Sequence, residues 1–302
     1  MKTTHRSPGL AACLLAPGLL LFAAGCTTVD HGGAQAFSTG VTAARAQTKT
    51  AFDTIVELTR DGAIDYAAKQ EHLTEDSLVE VPNAAAVAAW NAALDPLEAY
   101  AKDLSSLTSA DSAKAVENSL GTLAAQFKAT SADLRNNPNG GDAEQITAGQ
   151  ASAFAEMAGA LLRAHAQKQA MKVAAQTDPE VRRVFTALAD AIGKDSTAPG
   201  LRATVRANWD QRAGAMKVEF LRAGTPEGRR PVVRDYIGLL KKRDAQDELL
   251  ADLRGTYLAL ADAHTALAMG RPADLGSAID FVAGELKHAR DLRNQFANAQ
   301  IK

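Results

Sequence analysis

The feature that most constrains the fold is a run of apolar residues spaced three and four apart, which continues across a Gly-Arg-Pro turn. This spacing places side chains on one face of an α-helix. The run before the turn contains Val232, Tyr236, Leu239, Leu250, Leu253, Tyr257, Leu260, His264 and Leu267, with Arg243 and Gln246 interrupting it. The run after the turn contains Leu275, Ile279, Val282, Leu286, Ala289, Leu292 and Phe296. Two such helices joined by a short turn must pack antiparallel.

Turn and cap signals divide the rest of the chain into helices of the same kind. The predicted fold is therefore all-α, an elongated antiparallel bundle of seven or eight helices that is partly coiled-coil-like. The predicted helices cover 37–71, 84–108 after a capping Asn83, 111–135, 142–176, 179–195 beginning at Asp178-Pro179, 201–223, 226–269 after a capping Thr225, and a last helix capped by Asp274. Pro96 is expected to kink the second helix or to start a new one.

Composition limits what can stabilise this bundle. Aromatic residues make up 5% of the chain, and Cys26 is the last cysteine. The body after it therefore has neither a disulfide nor a thiolate metal site. The net charge is −8 over 27–178, +7 over 179–243 and −3 over 244–302. The basic middle could bind lipid phosphates. Packing of its helices beside acidic ones explains the uneven charge equally well. Nucleic acid is not an expected partner.

The first 26 residues have the pattern of an export signal. A basic head at Lys2, His5 and Arg6 precedes a short apolar run from Gly9 to Ala24. The run is shorter than the about 20 residues of a membrane-spanning helix. Small residues before a break point complete the pattern of a removed signal.

The end of this run, Leu21-Phe22-Ala23-Ala24-Gly25-Cys26, resembles the lipobox of bacterial lipoproteins. The resemblance covers only residues 1–26. It implies a lipid on Cys26, cleavage just before it, and, because Thr27 follows, transfer to the outer membrane. Cys13 ends a second lipobox-like stretch but has almost no apolar run before it. Ordinary cleavage after Gly25, which would leave a soluble protein, stays an alternative.

These observations predict three segments. Residues 1–25 are a signal peptide, 26–36 are the lipidated cysteine with a flexible tether, and 37–302 are the helical bundle. The bundle is expected at the periplasmic face of the outer membrane. No cofactor is expected other than the covalent lipid at Cys26.

Few side chains suggest a site. His264 lies on the apolar face, and a hairpin turning near residue 272 places it level with Asp280 and Ser277 as partners. It is interpreted either as a polar core residue that sets register or as a pH-sensitive contact. If His264 is a polar core residue, the substitution His264→Leu is expected to raise thermal stability. Arg230 and Arg234, four apart, are a possible anion contact.

Motifs of catalysis are missing from the sequence. Glu285-x-x-His288 matches half of a di-iron motif, but no second copy exists, so it is interpreted as a surface pair and no metal site is predicted. There is no phosphate loop and no nucleophile elbow. The expected function is therefore not enzymatic.

The favoured hypothesis is a structural or interaction protein of the envelope, which contacts another envelope protein or a second copy of itself. The alternative is a module that binds or senses a ligand in a pocket between helices, and a membrane-acting helical protein comes third. An exposed apolar stripe would favour interaction, whereas a polar internal cavity would favour a ligand.

Overall fold

A computed structural model describes residues 31–68, 70, 72–73, 81–108, 124–125, 128–129, 155–157 and 170–300. Within these ranges the long helices are α1 (His31–Ala67), α2 (Ala84–Leu107), α3 (Ala170–Ile192), α4 (Leu201–Arg222), α5 (Pro226–Ala268) and α6 (Pro272–Gln300). The described residues contain no strand. The all-α prediction is confirmed, while most of the predicted third and fourth helices lies outside the described residues.

Helix α5 is the centre of the bundle. Its 43 residues span about 65 Å at 1.5 Å per residue. The Thr48 hydroxyl of α1 forms a hydrogen bond with the Tyr257 hydroxyl of α5. Farther along α1, the backbone carbonyl of Ile55 accepts a hydrogen bond from the Gln246 side chain. Residue numbers thus rise on α1 as they fall on α5, so the two helices are antiparallel. Residue numbers on α3 and α4 likewise rise as those of their contacts on α5 fall, and α6 folds back on α5 after the turn. All three helices are therefore antiparallel to α5.

Side-chain caps begin two of these helices as predicted. Asn83 accepts a hydrogen bond from the backbone N–H of Ala86 at the start of α2. Thr225 does the same for Gly228 at the start of α5. The predicted cap at Asp274 is wrong, because α6 already begins at Pro272 and Asp274 lies within its first turn.

Two other predicted boundaries are also wrong. The fifth helix was expected to begin at Asp178-Pro179, but α3 runs through both residues from Ala170. An interior proline removes one backbone donor and crowds the carbonyl four residues earlier, but buried residues on both sides, among them Ala174 and Val181, hold the helix together. The tether expected over 26–36 is helical from His31 onward.

The core combines alanine-rich seams with a few large aromatic side chains. Trp90 meets Phe52 edge to face at 5.1 Å between ring centroids, and Phe185 stacks on Tyr257 at 6.4 Å. Small neighbours let the helices approach closely enough for these rings to be enclosed. The predicted inner face of α6 is buried at Leu275, Val282, Ala289 and Leu292 and partly buried at Ile279 and Leu286, whereas the side chain of Phe296 lies outside the described residues.

Candidate functional site

His264 lies at the centre of the bundle and is completely buried. Its Nε2 atom is 2.8 Å from the hydroxyl of Tyr100 on α2, and its Nδ1 atom is 2.9 Å from a carboxylate oxygen of Asp178 on α3. The Tyr100 hydroxyl is also 2.6 Å from the hydroxyl of Thr177. The ring of Phe37 meets the imidazole edge to face at 5.2 Å. One imidazole therefore connects α1, α2, α3 and α5.

The partners predicted for His264 are wrong. Asp280 is exposed on α6, and Ser277 donates to the backbone carbonyl of Ala273 in its own helix. The prediction considered only the hairpin. Because α5 is enclosed by several helices, its seam faces more than one neighbour, and His264 contacts α2 and α3.

The proton positions in this network follow from its chemistry. A carboxylate only accepts hydrogen bonds, so Nδ1–H donates to Asp178, and the neutral Nε2 accepts from Tyr100. Burial lowers the pKa of His264, although Asp178 opposes that shift. Asp178 is partly buried, yet its contacts with His264, Thr265 and Arg182 lower its pKa. The histidine is thus neutral and fully paired.

An Asp–His–hydroxyl series is also the arrangement that activates a nucleophile. Here the hydroxyl belongs to Tyr100, which is buried, and burial raises its pKa. A buried hydroxyl that holds its proton cannot attack a substrate. The network therefore links α2, α3 and α5 through hydrogen bonds, and a role of His264 in setting helix register stays a prediction.

The predicted surface pair Glu285 and His288 belongs to a cluster between α5 and α6. His288 Nδ1 is 2.7 Å from a carboxylate oxygen of Asp252, and its Nε2 is 3.4 Å from Glu248. Burial and the neighbouring Asp252 carboxylate raise the pKa of Glu285, with which Asp252 shares a hydrogen bond. The hydrogen bond to Asp252 raises the pKa of His288.

This cluster links the two helices of the hairpin. His288 is 48% exposed at its side chain, so its position at the surface agrees with the prediction. The part played by the buried Asp252 was missed. Among the described residues, no group of three or more His, Cys, Asp or Glu side chains could hold a metal ion.

A different kind of surface occupies residues 217–237, where α4 ends and α5 begins; we call it the hairpin tip. Four of its apolar side chains are largely exposed: Val218, Leu221, Val233 and Ile237. Between the two helices lies a groove of about 360 Å³. Its walls are Met216, Phe220, Leu221, Val232, Val233 and Tyr236, with Lys217 as the charged member. Contiguous apolar surface rimmed by polar groups marks interaction sites.

Basic residues surround this groove. The tip, residues 217–237, holds five Lys or Arg and three Asp or Glu, a net charge of +2. Arg229 lies over the ring of Phe220 at 4.9 Å. Arg230 and Arg234, the predicted anion contact, are both exposed, and neither forms an ion pair with a described residue. Arg234 lines the cavity at the base of the tip, and Arg230 is not among the residues that line that cavity.

The tip and the start of α1 lie at opposite ends of the bundle. Gly33, near the start of α1, lies against Leu267 and Leu275 beside the α5–α6 turn. The tip is at the other end of α5, about 65 Å away. Cys26 precedes α1 by five residues, outside the described part of the chain. An anchor at Cys26 would therefore join the end of the bundle remote from the tip.

No helix in the described residues is long and apolar enough to cross a membrane. Comparison of the chain with protein-family models, with curated proteins and with solved structures finds no match.

Proposed function

We propose that this protein is an outer-membrane lipoprotein, anchored through Cys26 at the periplasmic face, that acts as an interaction module of the cell envelope. Its hairpin tip docks an acidic, amphipathic segment of an envelope protein. The exposed apolar groove with its basic rim is the observation that carries this proposal. The lipobox-like sequence before Cys26 supports the anchor.

The geometry of the bundle suits presentation of a surface away from a membrane. The five residue steps from Cys26 to His31 can span at most about 18 Å, so the start of α1 stays near the lipid. The tip then reaches about 65 Å into the periplasm when the bundle stands upright. At that distance the tip meets periplasmic partners rather than the headgroups of its own membrane.

The chemistry of the tip defines the partner. An amphipathic helix docks by laying its apolar face into a groove of this kind. The net charge of +2 over 217–237 favours a partner with acidic flanks and repels a second copy of the same tip. Association with another copy at this surface is thus disfavoured.

Crosslinking in intact cells tests the proposal, with four tagged chains compared. They are the natural chain, Cys26→Ala, the tip variant Leu221→Glu/Val233→Glu, and the control Phe281→Glu, which alters an exposed apolar residue on α6. We expect one envelope protein to be captured by the natural and control chains and to be lost in the tip variant. Equal capture by the tip variant and the control would contradict docking at the tip.

The anchor has a separate test. Cells grown with labelled palmitate should transfer label to the natural chain but not to Cys26→Ala, which should also leave the outer-membrane fraction. Label in both chains, or in neither, would contradict an anchor at Cys26.

A further inference from the structure

A cavity of about 480 Å³ lies at the base of the hairpin tip, where α1, α4 and α5 meet. Gly62 and Tyr66 line it from α1, Trp209 and Arg212 from α4, and Gly238 from α5. Its volume lies within the range of about 300–1,000 Å³ typical of small-molecule sites. The groove of the tip is a separate space.

Arg212 carries a buried charge against this cavity. The residue is 6% exposed, and its Nη2 atom donates to the backbone carbonyl of Thr59 at 2.7 Å. Its guanidinium lies over the ring of Trp209 at 5.0 Å. Nη1 is buried and has no hydrogen-bond partner among the described residues. Burial lowers the pKa of Arg212 to about 10.

A buried cation without a carboxylate partner is costly. None of the described carboxylates forms an ion pair with Arg212. The charge of Asp65 favours the protonated guanidinium without such a contact. The charge is therefore largely uncompensated by the described residues. An anion placed in the cavity would supply the missing charge.

Glycine at position 62 makes room for this arrangement. A Cβ atom on Gly62 would lie 2.0 Å from Nη1 of Arg212, which is far closer than van der Waals contact. Nη1 therefore packs against the backbone of Gly62, a residue that also lines the cavity. The position tolerates only glycine while Arg212 holds this orientation.

Two further cations line the same cavity. Arg234 and Lys242 reach it from α5, and neither forms an ion pair with a described residue. Asp65 and Asp235 also line it, so its titratable walls carry a net charge of +1. That balance suits a monoanion, such as a carboxylate, better than a phosphate, whose charge is about −1.5 to −2.

We propose that this cavity binds a small organic carboxylate with an apolar or aromatic body. The carboxylate lies between the guanidinium of Arg212 and the cations of α5, where charge-assisted hydrogen bonds are strong. The body packs against Trp209, Met216 and Leu239, which line the same space. This inference is independent of the hairpin tip.

Calorimetric titration of the purified full-length chain tests the site with three probes: benzoate, acetate and inorganic phosphate. We expect benzoate to bind more tightly than either acetate, which lacks the body, or phosphate. Arg212→Met should weaken benzoate binding at least about tenfold. Arg222→Met, which removes an exposed arginine of the same helix, should leave the affinity unchanged.

A second pair of variants blocks the cavity without touching Arg212. A Cβ added at Gly238 or at Gly214 meets nothing within 4 Å, and only Gly238 lines the cavity. Gly238→Leu should abolish benzoate binding, and Gly214→Leu should not. Failure of all three probes to bind, stronger binding of phosphate than of benzoate, or equal affinity in Gly238→Leu and Gly214→Leu would overturn the inference.

Discussion

His264 and Arg212 are both polar, both buried and both next to aromatic rings, yet their surroundings differ in kind. Both ring nitrogens of His264 have partners, contributed by Tyr100 and Asp178. Arg212 keeps a buried N–H group without a partner among the described residues. Buried polar groups are normally satisfied. The pairing of His264 is thus complete, whereas the buried charge of Arg212, at the base of the hairpin tip, is left without a carboxylate partner among the described residues.

The same contrast holds for apolar side chains. Leu260, at the centre of α5, is completely buried, whereas Leu221 at the tip is 71% exposed. Apolar burial stabilises the folded chain, and apolar exposure contributes nothing to it. The molecule therefore separates a region that holds the fold from a region available to other molecules.

The largest predicted effect compares one substitution at the two places. Leu260→Ala should lower the free energy of unfolding by about 2–5 kcal/mol, because it leaves a cavity in the core. Leu221→Ala should change it by less than about 0.5 kcal/mol. Urea denaturation followed by circular dichroism measures both. Similar losses would show that the tip is packed as part of the fold.

The next effect concerns the central network. His264→Leu should lower the free energy of unfolding by about 1–3 kcal/mol, because Tyr100 and Asp178 each lose a buried partner. This reverses the expectation from sequence, in which leucine was the more stable choice at a polar core position. The melting temperature measures the change, and a higher value for the variant would show that the network is not formed.

Acidification should distinguish the two histidine sites. The pKa of His288 is raised in the folded chain, so its contribution is complete below its ordinary pKa of 6.5 and is lost as pH rises through the folded value. The stability advantage of the natural chain over His288→Gln should therefore grow from about pH 8 to about pH 6.

For His264 the pH dependence of the stability contribution has the opposite sign, because burial lowers the pKa of this residue in the folded chain. Its contribution is present above 6.5 and is lost as pH falls toward the folded value. The advantage of the natural chain over His264→Leu should shrink over the same range, from about pH 8 to about pH 6. Parallel pH dependences for the two variants would contradict the assigned contacts.

The smallest predicted effect is a change in the free energy of unfolding caused by glycine substitutions in the helices around the cavity. Gly238→Leu and Gly214→Leu should each raise the free energy of unfolding by about 0.5–1 kcal/mol, because leucine favours helix and neither new Cβ meets an obstacle. The pair should therefore differ in benzoate binding and not in stability. A stability loss in Gly238→Leu alone would show that the cavity is closed in solution.

Local patterns predicted most of the architecture that the structure describes. The spacing of apolar residues in α5 and α6 and the caps at Asn83 and Thr225 act within a few residues, so the sequence displays them directly. Pro179 misled the prediction, because its local signal favours a helix start while tertiary packing carries α3 through it.

The sites were harder to predict, since their partners are distant in sequence. Tyr100 is 164 residues from His264, and Asp178 is 86 residues away. Arg212 had a usable signal that was overlooked. It continues the apolar spacing of Val205, Trp209 and Met216, which places its charge on the buried face of α4.

Site-specific photo-crosslinking in intact cells tests the central claim, that the hairpin tip is the contact surface. A photoreactive amino acid replaces Leu221 in one chain and Phe281 in another, and the attached peptide is identified by mass spectrometry. We predict one acidic, amphipathic peptide from an envelope protein at position 221 and none at position 281. The same adducts at both positions, or attachment at position 221 to a second copy of this chain, would contradict the account.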